Sequence, residues 1–287
     1  LVIDLPPQES RARRVVVQLV PAPFSTGWVD NIRTLAKAHW WDGTAIVRVQ
    51  DNYVVQWGDP TEKKPLPVGV RTVPERDYVT SLEAIGAAQP AIEGRELAER
   101  TAEAARLSAL ATRDTVTPRA PQGWHQRDSY ADWVELIGGW PIAADDQTAW
   151  IPHCYSMVGV GRNLSPDTGS GAELYAVIGH APRHLDRNIA VVGRVVAGMA
   201  YLSSLKRGTG ELGFYETSAE QTTIVRVRLA SEMPERERPQ FEYLSTEGDA
   251  FARYVAARAN RRDAFFNLPA RGADICNLPV PVRAVAP

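Results

Sequence analysis

The sequence predicts a mainly β fold built on a closed or nearly closed antiparallel barrel. Short β-branched runs recur along the chain, and most are bounded by proline, glycine or Asx turns. Helical stretches are few and do not alternate with the strands, which argues against a doubly wound parallel sheet. With 287 residues and 44% hydrophobic content, the chain can bury a sizeable core as one large domain or two small ones.

The elements follow in order. Arg14 to Val20 is β-branched and reads as a strand, stopped by Pro21 and Pro23. Ser25 and Thr26 offer N-caps for a helix with Val29, Ile32, Leu35 and Ala36 on one face. After the Asp42-Gly43 turn, Ala45–Val49 and Tyr53–Trp57 form two strands around Gln50-Asp51-Asn52. From Thr61 the texture changes. Pro65, Pro67, Pro74 and Pro90 punctuate a loop-rich stretch, and Glu96 to Arg113 alternates charges with Ala and Leu like a surface helix. Tyr130 to Ile137, with Trp133 and Val134, predicts a further short helix. Strands return at Ser156–Gly161, Glu173–Ile178 and Ile189–Val196, then a helix at Gly198–Leu205 and a strand at Thr222–Leu229. Beyond Pro234 a charged linker leads to a helix from about Gly248 to Arg262, with Phe251, Tyr254 and Val255 on one face, and a proline-rich tail.

A net charge of −2 gives no electrostatic reason to propose nucleic acid as a partner. No apolar run approaches the ~20 residues that span a bilayer. The start at Leu1, without methionine or a basic leader, suggests a processed chain whose targeting segment has gone. Cys154 and Cys276 lack zinc-like spacing, so two readings stay open: buried thiols, or a disulfide tying the C-terminal extension to the body.

Three motifs tempt and fail. Gly208-Thr209-Gly210-Glu211-Leu212-Gly213 spells G-x-G-x-x-G, but it follows Lys206-Arg207 at a helix end instead of a strand, and no periodic helix succeeds it. It reads as a glycine-rich loop. His180 and His184 have the four-residue spacing of helical metal ligands, yet Pro182 between them breaks that helix. Gly169-Ser170-Gly171 lacks the spacing of a nucleophile elbow and reads as a tight turn.

The informative residue is Arg48, set inside the apolar run Ile46-Val47-Arg48-Val49, with Gln56, Tyr53 and Val54 a short turn later on the next strand. Pairing the two strands would gather a guanidinium, an amide and an apolar patch. The run from Asp42 to Val49, followed by Asn52-Tyr53-Val54-Val55-Gln56-Trp57-Gly58-Asp59-Pro60, resembles the signature of the cyclophilin family. The resemblance includes the opening strand, proline pair and Asn31 upstream. Downstream it resumes in Met157, Gly159, Asp167–Gly171, Leu174-Tyr175, Leu185-Asp186, Val191–Val195 and Gly198-Met199. Roughly residues 12–60 and 154–230 are covered.

The resemblance implies an eight-strand closed barrel capped by helices, at 1–60 and 154–232, with a helical insertion at 61–153 and a C-terminal helical extension at 233–287 packed on it. It implies a peptidyl-prolyl cis/trans isomerase that assists protein folding on unfolded or proline-containing polypeptides and needs no metal or cofactor. A non-catalytic proline-peptide binder or an assembly module is the alternative. Arg48 matches the family's catalytic arginine and Gln56 its carbonyl-holding glutamine. Tyr53, Val54, Tyr175 and Leu185 would line the proline pocket, and Gly159 would grip substrate through its backbone. Three positions depart from the family: Glu173 stands for a Gln, His184 for a Trp and Ile189 for a His. With His184 in place of Trp, cyclosporin binding is expected to be weak. The general look resembles exported bacterial cyclophilins, so a periplasmic or secreted setting is expected.

Overall fold

A computed structural model describes residues 1–88, 124–126 and 128–285. The strands are β1 (Val2–Gln8), β2 (Arg11–Leu19), β3 (Ala45–Val49), β4 (Val54–Gly58), β5 (Thr80–Ser81), β6 (Trp133–Ile137), β7 (Trp140–Ala144) and β8 (Thr148–Trp150), continuing with β9 (Met157–Val160), β10 (Leu174–Val177), β11 (Val191–Ala197), β12 (Thr222–Thr223), β13 (Arg226–Arg228), β14 (Phe241–Tyr243) and β15 (Val282–Ala284). The helices are α1 (Thr26–Lys37), α2 (Leu82–Ala88), α3 (Met199–Ser203) and α4 (Asp249–Ala259). The helix expected at Glu96–Arg113 lies outside the described residues.

Two compact units emerge: Leu1–Val79, Trp150–Glu242 and Val282–Pro287 form one, Thr80–Ala149 and Tyr243–Pro281 the other. The first carries a curled nine-stranded sheet in the order β12-β3-β4-β10-β9-β11-β2-β1-β13, antiparallel throughout. The fold is mainly β, as expected, but with nine strands in this sheet instead of eight. Its two edge strands come from one stretch of chain. Thr222 and Thr223 pair with Ile46 and Ala45 on β3, and Arg226–Arg228 pair with Val2–Asp4 on β1. The continuous strand predicted at Thr222–Leu229 is therefore split, because the chain leaves one sheet edge for the other at Ile224 and Val225. Asp42 and Asp4 pin the far end, accepting from Arg228 and Arg226 respectively.

Side chains alternate across the strands. On β4, Val55 and Trp57 point to one face and Val54 and Gln56 to the other; on β10, Leu174 and Ala176 oppose Tyr175 and Val177. Trp28, Trp41, Trp57, Ile32, Leu35 and Leu174 are fully buried in the core, each apolar side chain contributing about 1.5–3 kcal/mol. Helix α1 buries Trp28, Val29, Ile32, Leu35 and Ala36, the face its period predicts. Ser25 stands at its N-cap, but in the left-handed region and with no side-chain capping bond. The helix is held instead by burial and by Asn31, which donates to the Arg71 and Ser170 carbonyls at 2.7 and 3.0 Å. Strand β1 was not visible in the sequence, where Pro6-Pro7 masks it. It returns into β2 through Glu9 and Ser10, both at positive φ, in the two-residue hairpin geometry that matches strand twist.

The second unit contains a four-stranded sheet, β5-β8-β7-β6. The helix expected over Tyr130–Ile137 is a strand, β6, that pairs with β7 residue for residue. The reason is alternation: Val134 and Leu136 are buried while Trp133, Glu135 and Ile137 are only partly so, and Gly138-Gly139 at positive φ makes the hairpin turn. The C-terminal helix α4 buries Phe251, Val255, Ala256 and Ala259. Neither cysteine is a free thiol: Cys154 and Cys276 are each disulfide-bonded.

Candidate functional site

Strands β3 and β4 bring Arg48 directly opposite Gln56. The Arg48 Nη1 donates to Gln56 Oε1 at 3.1 Å, Nε donates to the Leu212 carbonyl at 2.7 Å, and Nη2 donates to Gln50 Oε1. A guanidinium carries five N–H donors. One hydrogen on each Nη therefore stays available. The guanidinium also lies over two aromatic rings, 5.8 Å from the Tyr53 centroid and 5.3 Å from that of Phe214. Burial draws its pKa down from the ordinary arginine value, with the net charge kept.

The loop that supplies Leu212 and Phe214 is the glycine-rich stretch that mimics a dinucleotide fingerprint. Gly208 N donates to Val49 O, Tyr215 N to Val47 O, and Phe214 bridges to Arg48, so the loop lies along β3. Gly213 sits at positive φ against Gln50, where a Cβ would come within 2.7 Å of the Gln50 Cα. The glycines serve close backbone approach. Nothing in the sequence pointed to Phe214 or to the Leu212 carbonyl, because their link to Arg48 spans more than 160 residues.

The amide of Gln56 is held at both ends. Its Nε2 donates to Glu173 Oε2 at 2.8 Å while its Oε1 faces Arg48. The amide dipole thus lies between an anion and a cation, and its second N–H remains free. Burial pushes the Glu173 carboxyl above the usual range, with the Gln56 bond opposing that shift.

In the sheet register Tyr175 pairs with Gln56 on one side and Gly159 on the other. One row across β4, β10 and β9 therefore holds all three. The hydroxyl end of the Tyr175 ring lies against Gly159: a Cβ there would sit 2.3 Å from both the ring's Cζ and its hydroxyl oxygen, so a larger residue would displace the ring. Val54, Tyr175 and Val177 form a buried apolar cluster against which Tyr53, Leu185 and Ile189 pack. His184 is exposed and stacks on Tyr53 at 6.4 Å between centroids. The register and contacts thus bring together Arg48, Gln56, Tyr175 and Gly159 in one row, Glu173 on Gln56, and Tyr53, Leu185 and Ile189 around Val54, with His184 on Tyr53.

Behind the cluster lies a polar network that the sequence did not disclose. The Tyr175 hydroxyl is 2.9 Å from His153 Nε2, and His153 Nδ1 is 2.9 Å from Asp186 Oδ1. The same Asp186 oxygen accepts from the His153 backbone N–H at 2.9 Å; its Oδ2 accepts from Arg183 Nε at 2.5 Å and Trp150 Nε1 at 3.2 Å. His153 is 1% exposed, Arg183 5% and Asp186 6%. Burial works to raise the Asp186 carboxyl, and the bond from His153 with the Arg183 charge outweighs it, holding the group below the usual carboxylate range. Burial pushes the Tyr175 hydroxyl well above its ordinary value.

The family model for cyclophilin-type peptidyl-prolyl cis-trans isomerases (Pro_isomerase, cyclophilin type/CLD) matches residues 14–229, well over half of the chain. Among solved structures, the cyclophilin AquaCyp293 from Hirschia baltica superposes with a TM-score of 0.66 at 17% identity, covering 99% of this chain and 90% of that one. No curated protein sequence matches significantly.

Proposed function

The chain belongs to the cyclophilin-type peptidyl-prolyl isomerase family, and from that premise we propose that it catalyses rotation about X–Pro peptide bonds in unfolded or exposed segments. The observation that carries this reading is Arg48: clamped at three points and bracketed by two rings, it keeps one N–H on each Nη at the rim of an apolar cluster.

The chemistry suits such a group. Amide resonance sets a barrier of about 18–20 kcal/mol, and X–Pro bonds are the natural targets because their cis and trans forms differ by only about 0.5–1 kcal/mol. No bond breaks, so the reaction needs no nucleophile, base, metal or cofactor. In the twisted transition state the prolyl nitrogen regains a lone pair. A free Arg48 N–H can donate to that pair only once conjugation is lost, which makes the contact specific to the transition state. The clamp from Leu212, Gln50 and Gln56 orients the donor in advance, so little reorganisation is needed. The free Gln56 N–H would hold the substrate carbonyl oxygen, and the cluster of Val54, Tyr175 and Leu185 would seat the proline ring and exclude water. Gly159 and Ile189 complete that seat, with Glu173 and His184 at its rim.

The segment 222–228, paired at both sheet edges, supports closure of the curled sheet into a barrel around the core. The bonded state of Cys154 and Cys276 supports an oxidising compartment such as the periplasm. A protease-coupled assay on a short X–Pro peptide tests the proposed activity. Catalysed cis-to-trans conversion in proportion to enzyme is expected; binding of the peptide without acceleration would make the protein a proline-peptide binder instead.

A further inference from the structure

We infer that His153 is a positioning residue that fixes the width of the apolar pocket by spanning its two walls, an inference that rests on the isomerase reading above. One wall is Tyr175 on β10. The other is the turn of residues 183–189, closed by backbone bonds from Asp186 to Arg183 and from Ile189 to Leu185, which carries Leu185 and Ile189 into the cluster. His153 belongs to neither wall. Its imidazole reaches Asp186 of the turn through Nδ1 and Tyr175 of the strand through Nε2, each at 2.9 Å.

The hydrogen positions follow from the partners. An ionised Asp186 only accepts, so Nδ1 carries the proton. At its other end the ring shares a hydrogen bond with the Tyr175 hydroxyl through Nε2. Between those two nitrogens there is no rotatable bond, so the imidazole is a spacer of fixed length. Neither end has slack. The hydroxyl end of the Tyr175 ring is also pressed on Gly159, and Asp186 is held by Arg183 and Trp150 as well as by the His153 backbone. A pocket bounded by apolar packing alone could widen by rotamer changes. Here widening breaks a hydrogen bond between groups sealed from water, which leaves a buried donor or acceptor unsatisfied.

The consequence is selectivity for ring size. A wall held at fixed separation admits the five-membered prolyl ring and resists a six-membered one, and a single methylene in such a pocket is worth about 10–200-fold in discrimination. The test compares two peptides that differ only in proline against its six-membered homologue, piperidine-2-carboxylic acid. It measures the ratio of their kcat/KM values in wild type, His153→Ala and Tyr175→Phe; the second variant keeps the ring, loses the hydroxyl and serves if the first does not fold. The expected result is a ratio that falls about tenfold in His153→Ala and less in Tyr175→Phe, chiefly by better use of the larger ring. Nitrogen-15 NMR of the His153 ring should show a proton on Nδ1, the nitrogen that faces Asp186, in wild type. If the wild type turns over neither peptide, the isomerase reading fails, and the same ratio is read from the two dissociation constants. Variants that lose thermal stability but keep the wild-type ratio would reduce His153 to a purely structural residue and overturn the inference.

Discussion

The two sides of the site are built on opposite rules. On the β3–β4 side, Arg48, Gln56 and Glu173 form a chain in which each polar group is held yet keeps unused hydrogen-bonding capacity. On the β10 side, Tyr175, His153, Asp186 and Arg183 form a chain of similar length in which the Asp186 carboxylate accepts four hydrogen bonds and every member is buried. The difference teaches how to tell a reacting group from a supporting one. A group that must bind a transition state needs a donor to spare and a partner that preorganises it. A group that must hold a shape needs saturation, because a buried polar network is stable only when complete.

The contrast can be tested by breaking each side in turn. The largest effect is expected from Asp186→Asn. It removes the buried carboxylate to which both Arg183 Nε and His153 Nδ1 bond, and losing one member of such a buried charged group costs about 3–5 kcal/mol. Denaturant unfolding should show the midpoint falling with little change in slope. A loss under about 1 kcal/mol would mean that the buried chain is not the rigid side.

A smaller effect is expected at the exposed rim. His184 is exposed and stacks on Tyr53 with the ring centroids 6.4 Å apart. We propose that His184→Trp tightens cyclosporin binding by about tenfold, or ~1.4 kcal/mol, through added aromatic contact, while turnover changes less. Inhibitor titration of both proteins checks this; equal, tight inhibition of the two would show that residue 184 plays no part in the contact.

The smallest effect concerns Glu173, whose carboxyl is raised by burial. A carboxyl with a raised folded pKa costs the folded state in its ionised form. That cost is absent below its unfolded value of about 4.3 and fully present above the folded one. Wild type should therefore gain stability as pH falls through that window, and Glu173→Gln should not. At pH 7 the variant should be more stable by no more than about 1 kcal/mol, since the group is partly exposed. Its turnover should fall, because Gln56 loses the charge that orients its amide. Thermal melts and rates across pH 4–8 separate the two effects. A variant that is less stable at pH 7 would show that Glu173 supports the fold.

The same contrast governs what the sequence reveals. Arg48, Tyr53, Val54 and Gln56 lie within nine residues on two paired strands and the turn between them, so their chemistry is compressed into one readable run. Tyr175, Leu185 and Ile189 were legible through ordered family blocks. His153 was not, because its partners are 22 and 33 residues away and a lone histidine before a cysteine carries no local signal. Phe214 was hidden inside a glycine-rich loop whose purpose is visible only beside β3. In the second unit, the apolar residues of Trp133–Ile137 fit a helix or a strand over so short a run, and the Gly138-Gly139 turn was the signal that decides. Strand β1 was lost to its prolines, and the split of β12 from β13 depends on sheet edges that no local pattern encodes.

In the proposed isomerase, Arg48 acts on the transition state and does little for the fold. The direct measurement is the protease-coupled X–Pro rate of purified Arg48→Ala, taken beside its thermal unfolding. Arg48→Ala is expected to lose at least tenfold in kcat/KM, ~1.4 kcal/mol or more of transition-state stabilisation, with folding stability changed by less than about 1 kcal/mol. Turnover near that of wild type in a properly folded Arg48→Ala protein would contradict it.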